Sequence, residues 1–336
     1  ISVPQEFGGA GVTSVTLARV IASIAQADSS LGQIPQNHFY ALEVLRVNGS
    51  PEQQRRLYGE VLAGKRFGNA LAELGTRTAL DRTTRLTRSD SGYRIDGRKF
   101  YCTGALFAQR IPTHVLDEHG VGLLAFVPRE AKGLELIDDW SGFGQRTTGS
   151  GSVVFTGVPL AEEDLVPFQS AFERPTTVGP FAQLMHAAID TGIARGAYED
   201  LLQFVRHKAR PWIDAGVECA AEDPLTQQEI GKLRVRLAAS EKLLQRAGEF
   251  VDRAQAEPEK ASVAAASIAV AEARAISTET SLLLGSKLLE LSGSRATLAE
   301  YGLDRHWRNA RTHTLHDPVR WKMFHLGNYY LNGIEP

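Results

Sequence analysis

The chain has 336 residues, of which 43% are hydrophobic and 23% charged. That balance excludes disorder and collagen-like repeats, and the length predicts two or three domains whose cores need neither disulfides nor structural metals. Thirty-seven Lys and Arg against 39 Asp and Glu leave a net charge of -2, so no global basic field points to nucleic acid or anionic lipid.

The only cysteines, Cys102 and Cys219, lie far apart and outside any C-x-x-C spacing, so no disulfide framework or thiolate zinc site is readable and a reducing cytoplasm is expected. No run approaches the roughly 20 apolar residues of a membrane span. The opening Ile1-Ser-Val-Pro-Gln-Glu-Phe has no basic and apolar regions of an export signal.

From Thr13 to Asp28, Leu17, Val20, Ile21 and Ile24 recur at helical spacing, and a second helix is predicted through Phe39 to Val47. Ser50-Pro51-Glu52-Gln53 supplies an N-cap, a first-turn proline and a Gln three residues past the cap, which starts another helix. Residues 1–66 therefore read as a helical unit. After Phe67 the pattern shortens into β-prone runs: Tyr93-Arg-Ile, Lys99-Phe-Tyr-Cys, Leu123-Leu-Ala-Phe-Val and Ser152-Val-Val-Phe. Asp96-Gly97 predicts a type I′ hairpin turn between two of them. A small β-barrel or sandwich over 67–175 is expected, ended by Val158-Pro159, Val166-Pro167 and Arg174-Pro175. The stretch 79–88 carries no assignable pattern. Residues 176–336 are rich in helix formers, with long helices from Thr226 to Ala256 and Glu259 to Leu291 and Pro258 at the turn between them. Their apolar stripes suit antiparallel helices in a bundle.

Four motifs occur in order: Val3-Pro-Gln-Glu-Phe-Gly-Gly-Ala-Gly, Gly97-Arg-Lys-Phe-Tyr-Cys-Thr-Gly, Phe143-Gly-Gln-Arg-Thr-Thr-Gly-Ser-Gly-Ser-Val-Val-Phe and Arg308-Asn-Ala-Arg. Together they resemble the acyl-CoA dehydrogenase family. The resemblance implies an α+β multidomain fold with an N-terminal helical domain (1–66), a middle β-barrel (67–175) and a C-terminal four-helix bundle (176–336). Because the first motif opens at residue 3 with no initiator Met, an upstream segment is expected. Where dehydrogenases carry T-E-P-x-A-G-S-D and a catalytic Y-E-G-T, this chain has Ala72-Glu73-Leu74-Gly75-Thr76-Arg77 and Thr314-Leu-His-Asp-Pro. Pro35-Gln-Asn-His-Phe-Tyr, Tyr101-Cys-Thr-Gly-Ala, Ala209-Arg-Pro-Trp and Arg311-Thr-His-Thr-Leu-His-Asp-Pro instead resemble the sulfur-acquisition oxidoreductase and dibenzothiophene monooxygenase branch, which uses reduced FMN and O2.

That resemblance implies roles for particular residues. Thr103 reaches flavin N5 and O4 with Tyr101 beside the ring, Asn69 hydrogen-bonds the flavin from a neighbouring strand, and Arg210, with Arg206 and Lys208, clamps the FMN phosphate from a neighbouring subunit. Trp140, with Ser141, Gly142 and Phe143, forms a mobile wall. His38 lines the substrate side. His316 is the catalytic candidate, since an imidazole titrating near neutrality can protonate or hydrogen-bond a reacting oxygen. Asp317 orients His316, caps a helix, or serves as the α-proton base of an FAD-dependent acyl-CoA dehydrogenase, which is the alternative reading. His313 shares a face with His316 if the stretch is helical, but no carboxylate or Cys completes a ligand set and no metal is expected. Plainer readings stand beside these: Thr103 as a β-branched strand residue, His38 as a polar residue near a helix start, and 206–210 as a solvated face.

No G-x-G-x-x-G follows a strand and no Walker sequence occurs, so reduced flavin has to come from a separate reductase. The leading expectation is a cytoplasmic two-component monooxygenase, a homotetramer of two dimers, oxygenating a small organosulfur compound without nucleic-acid or membrane partners. A non-catalytic helical assembly protein is the third reading.

Overall fold

The structure is a computed structural model that describes residues 1–78, 81–90 and 92–336. Four helices come first: α1 (Ser14–Ala27), α2 (Ser29–Gln33), α3 (Gln36–Asn48) and α4 (Pro51–Leu62). The Thr13 hydroxyl accepts the Thr16 N–H to cap α1, and Ser50 with Gln53 forms the expected capping box on α4. Asp28 accepts the N–H groups of Ser30 and Leu31, which starts α2 directly after α1.

Seven strands follow: β1 (Arg85–Ser89), β2 (Gly92–Lys99), β3 (Arg110–Leu116), β4 (Gly122–Pro128), β5 (Leu134–Ile137), β6 (Ser152–Leu160) and β7 (Leu165–Pro167). They form one sheet in the order β5-β6-β2-β1-β3-β4-β7, antiparallel except between β1 and β3. Ile95, Ile111, Val115, Val127, Val153 and Val158 supply its own buried core. Residues 79 and 80 of the unassigned stretch lie outside the described residues, and its end forms β1.

Two sequence expectations fail here. Asp96-Gly97 is not a hairpin turn. Both residues lie inside β2, where the register with β6 shifts between Ile95 and Gly97 in a β-bulge. Gly97 has φ 151°, and a Cβ there would sit 2.7 Å from the Thr84 Cα. Asp96 accepts the Gly157 N–H at 2.7 Å, so the Asp-Gly signal serves a bulge rather than a turn. Val158-Pro159 does not end the β unit either, because Pro159 pairs with Arg94 within β6. β5 pairs only with Ser152 to Phe155, so β6 is open on that side at Pro159 and the missing N–H costs no ladder bond.

The remaining helices are α5 (Val178–His207), α6 (Pro224–Ala256), α7 (Lys260–Ser292), α8 (Asp304–His313) and α9 (Val319–Asn332), with Pro258 in the α6–α7 connection as expected. α5, α6 and α7 pack on one another, α1 packs against α5 and α6, and α8 lies on α5 and α7. The β2–β3 connection holds Tyr101 and Thr103, and the α8–α9 turn holds His316 and Asp317. Among the described residues no helix is long and apolar enough to cross a membrane.

Candidate functional site

β2 ends at Lys99, whose buried ammonium meets the Glu73 carboxylate at 2.7 Å and anchors the chain before it turns. Tyr101 then takes φ 62°, a left-handed conformation that is strained for an aromatic residue, and its ring stays 44% exposed. Asn69 braces that strain, since its Nδ2 donates to the Tyr101 carbonyl at 3.1 Å while its Oδ1 accepts the Leu71 N–H. Most of the Asn69 amide is therefore committed to the protein.

Thr103 follows, 3% exposed, with its Oγ1 2.7 Å from Ser150 Oγ, which lies 2.7 Å from Thr148 Oγ1. The loop that carries these partners is docked on α8. Asn309 Oδ1 accepts the Gln145 N–H at 2.8 Å, Arg308 donates to the Phe143 carbonyl, and Phe143 stacks on Trp307. Gly144 makes this docking possible, because a Cβ there would lie 2.0 Å from the Arg308 carbonyl oxygen. Trp140 stands edge-on to Tyr101 with ring centroids 6.2 Å apart, and its indole N–H donates to the Gln145 carbonyl at 2.8 Å. The wall expected to be mobile is thus fastened to α8 by hydrogen bonds and stacking.

Three imidazoles gather at the end of α8. The helix stops at His313 rather than running through His316, yet the turn brings the two rings to 5.1 Å, and His186 from α5 completes the group at 5.2 Å from His313 and 4.7 Å from His316. His316 Nδ1 lies 2.8 Å from the His313 carbonyl oxygen. A carbonyl only accepts, so Nδ1 carries the proton and the neutral ring presents a lone pair at Nε2. That lone pair takes an N–H of Gln33 at 3.1 Å. By the same logic His313 Nδ1 donates to Asp190 at 2.5 Å, and His313 Nε2 shares one proton with His186 Nδ1 at 3.1 Å. Asp190 is completely buried and also bonds Arg274 and Thr278 from α7.

The electrostatics arise from this packing. Burial would raise the Asp190 pKa, but His313 and Arg274 outweigh it and hold the carboxyl below its ordinary value. Burial first, then the neighbouring imidazoles and Arg274, holds His186 well below the usual imidazole range. His316 has an outer edge open to solvent although protein atoms crowd the rest of the ring; burial, then His313, lowers its pKa as well.

The nitrogen atoms of His186, His313 and His316 lie within 4.8 Å of one another, close enough to ligate one ion. Their hydrogen bonds to Gln33, to Asp190 and between themselves already occupy the His316 and His313 Nε2 lone pairs. Asp317 departs from expectation: its carboxylate accepts from Gln183 at 2.5 Å, and α9 starts without a side-chain cap, so it neither orients His316 by a hydrogen bond nor caps that helix. The orienting carboxylate is Asp190, and its target is His313. Gln33, His186, Asp190 and Arg274 were not singled out from the sequence, although a His and an Asp four apart in the apolar run 184–193 were a readable signal.

Two expected residues make other contacts. His38 accepts the Phe67 N–H at Nδ1, 3.1 Å away, and joins α3 to the start of the sheet unit; burial first lowers its pKa to about 4. Arg210 follows the far end of α5, and the 21 residues from His186 to His207 alone rise about 32 Å. Within one chain the clamp and the imidazoles are not brought together. A cavity of about 550 Å³ lined by Glu43, Arg46, Tyr58 and Gln255 shares no residue with the imidazole group, and its Glu43 pairs with Arg46 and Gln255.

Residues 1–65 match the family described as acyl-CoA dehydrogenase, N-terminal domain, and residues 184–321 match acyl-CoA dehydrogenase, C-terminal domain. Dibenzothiophene monooxygenase of Rhodococcus erythropolis is 33% identical over 353 residues, covering 99% of this chain and 84% of that protein. The chain belongs to the acyl-CoA dehydrogenase family. A Pseudomonas putida member named "Probable FMNH2-dependent monooxygenase SfnC" is 32% identical, over 99% of this chain and 85% of its own length. The crystal structure of TdsC from Paenibacillus sp. A11-2 with FMN and indole superposes with a TM-score of 0.94 at 33% identity, over 100% of this chain and 88% of that one. The acyl-CoA dehydrogenase fold expected from the motifs is therefore the fold observed.

A flavin can be tested against the residues themselves. Both amide atoms of Gln145 are buried without a partner, as are Oε1 of Gln33 and Oε1 of Gln183. Buried polar atoms are rarely left so, and the edge of a flavin ring alternates donors and acceptors of the kind these amides would pair with. One donor and three acceptors left without partners fit the group.

Proposed function

We propose that this protein is a monooxygenase that uses reduced FMN and O2 to place one oxygen atom on the sulfur of a small organosulfur compound, the second oxygen leaving as water. The observation that carries this reading is the buried hydroxyl line at Thr103, on a loop docked on α8, together with the imidazole group at the end of that helix, in a chain whose full-length relatives are named for that chemistry. Reduced FMN, when bound, supplies the two electrons that divide O2 between sulfur and water.

Thr103 and Tyr101 would hold the flavin ring, Gln145 would offer its unpartnered amide to the polar edge, and Trp140 would wall the site beside Tyr101. His316 presents its Nε2 to Gln33 and its Nδ1 proton to the His313 carbonyl, so it would exchange a proton with the reacting groups at Nε2 only where the Gln33 amide gives way. Asp190 and Arg274 hold His313 in one tautomer, and the proton between His313 and His186 gives the site a buried reserve. The phosphate is clamped by Arg210 of a neighbouring copy in a homotetramer, and a separate reductase delivers the flavin.

The test is single-turnover mixing of protein loaded anaerobically with reduced FMN against O2 and dibenzothiophene, with sulfoxide and sulfone measured by chromatography. Oxygenated product is expected, and His316→Ala should abolish it while affinity for reduced FMN stays within about threefold. Flavin that reoxidises without product across sulfides, sulfinates and thiophenes, together with anaerobic bleaching of oxidised flavin by an acyl-CoA, would replace this reading with dehydrogenation.

A further inference from the structure

Thr103, Ser150 and Thr148 form a line of hydroxyls with 2.7 Å between neighbours. Each hydroxyl has one proton to give. Thr148 gives its proton to the Gln145 carbonyl oxygen at 2.9 Å, because a carbonyl only accepts. The contact between Ser150 and Thr148 therefore runs with Ser150 donating. With that proton committed, the contact between Thr103 and Ser150 runs with Thr103 donating. One carbonyl thus sets the direction of the whole line.

The anchor is itself fixed. Gln145 is held at φ 51°, with its N–H on Asn309 and its carbonyl also taking the Trp140 indole N–H. Thr103 is 3% exposed, Thr148 0% and Ser150 5%, so no bulk water reverses the line. Thr103 Oγ1 keeps lone pairs and no free proton.

We propose that Ser150 and Thr148 are positioning residues that make Thr103 an acceptor only, so that the site selects reduced over oxidised flavin. This rests on the reading that the N5 edge of the flavin meets Thr103. Reduced flavin carries a proton on N5 and donates there, whereas oxidised flavin has a bare lone pair on N5. An acceptor-only oxygen bonds the first and opposes lone pairs to the second. An oxygenase that receives flavin from a separate reductase gains directly, since the form able to react with O2 is retained and the spent form is released.

The experiment measures the dissociation constants of oxidised FMN and, anaerobically, of reduced FMN on the holoenzyme, with the midpoint potential of the bound flavin as a second readout. The unaltered protein is expected to bind reduced FMN more tightly and to hold its potential above that of free FMN. Ser150→Ala and Thr148→Val each free the Thr103 proton to turn toward N5, and each lowers the reduced-over-oxidised preference about tenfold, the worth of one hydrogen bond. For a two-electron couple that is a fall of about 30 mV. Thr148→Ser keeps the hydroxyl and keeps the preference.

Equal weakening of both redox forms in Ser150→Ala and Thr148→Val leaves the ratio unmoved and overturns the proposal. Thr103→Val separates the two layers of the argument. If it changes neither affinity, the flavin edge is not at Thr103 and the underlying reading falls. If it shifts the ratio while the Ser150 and Thr148 variants do not, that reading stands and the directed line is refuted.

Discussion

A backbone N–H bonded to an imidazole nitrogen requires the neutral ring, and at a single residue the consequence is measurable as stability. His38 accepts the Phe67 N–H, a bond that requires the unprotonated ring, and its pKa falls to about 4 in the folded chain against about 6.5 unfolded. Between those values the unfolded chain binds the proton and the folded one does not. The stabilisation is therefore complete above about pH 6.5 and is lost as pH falls from there toward 4. Chemical unfolding of the unaltered protein and of His38→Gln, each at pH 7 and pH 5, should show the unaltered protein losing about 1 to 2 kcal/mol more over that interval. Equal losses would mean that His38 takes up its proton without disturbing the fold. At this scale the sequence named His316, His313 and Thr103 but not their partners. Asp317 is adjacent to His316 in the chain, yet the turn after α8 sends its carboxylate to Gln183, while the carboxylate that holds an imidazole comes from 123 residues away.

Elements decide which of these contacts can form. Asp190 on α5, Arg274 on α7 and His313 at the end of α8 meet where three helices cross, and none of the three side chains is more than 2% exposed. A charge in such a place is tolerated only when paired. Arg274→Met takes the guanidinium from buried Asp190 and leaves it the His313 and Thr278 hydrogen bonds, and should cost about 3 to 5 kcal/mol in urea unfolding at pH 7. Adding Asp190→Asn to that variant should recover part of the loss, whereas a loss below about 1 kcal/mol for Arg274→Met would show the pair to be superfluous. The long helices were legible because a 3.6-residue stripe is written over 33 residues in α6 and again in α7. β1, β3 and β5 were not, because strands of 4 to 7 residues leave little periodicity to read. Asp96-Gly97 misled for a related reason: a bulge and a type I′ turn both need a residue that tolerates positive φ.

Across the whole molecule, the distance between the two ends of α5 governs how the cofactor is held. Arg206, His207, Lys208 and Arg210 are exposed and sit in the last turn of α5 and just past it, on a helix whose third turn carries His186, about 32 Å away. Trp212 beside them is 71% exposed and Ile213 84%, so the cationic loop carries apolar surface that a single chain leaves in water. A phosphate clamp built from this loop works on a flavin only if the loop belongs to another copy of the chain. FMN affinity should then depend on protein concentration, falling on dilution through the range in which light scattering shows the assembly dissociating. Arg210→Ala should weaken FMN binding about tenfold in the assembled protein, by loss of a charge-assisted contact, without changing the scattering mass. Riboflavin, which lacks the phosphate, should bind the unaltered protein and Arg210→Ala equally. FMN affinity that is indifferent both to dilution and to Arg210→Ala would return this loop to the role of a solvated helix end, whose cations simply face the negative pole of α5.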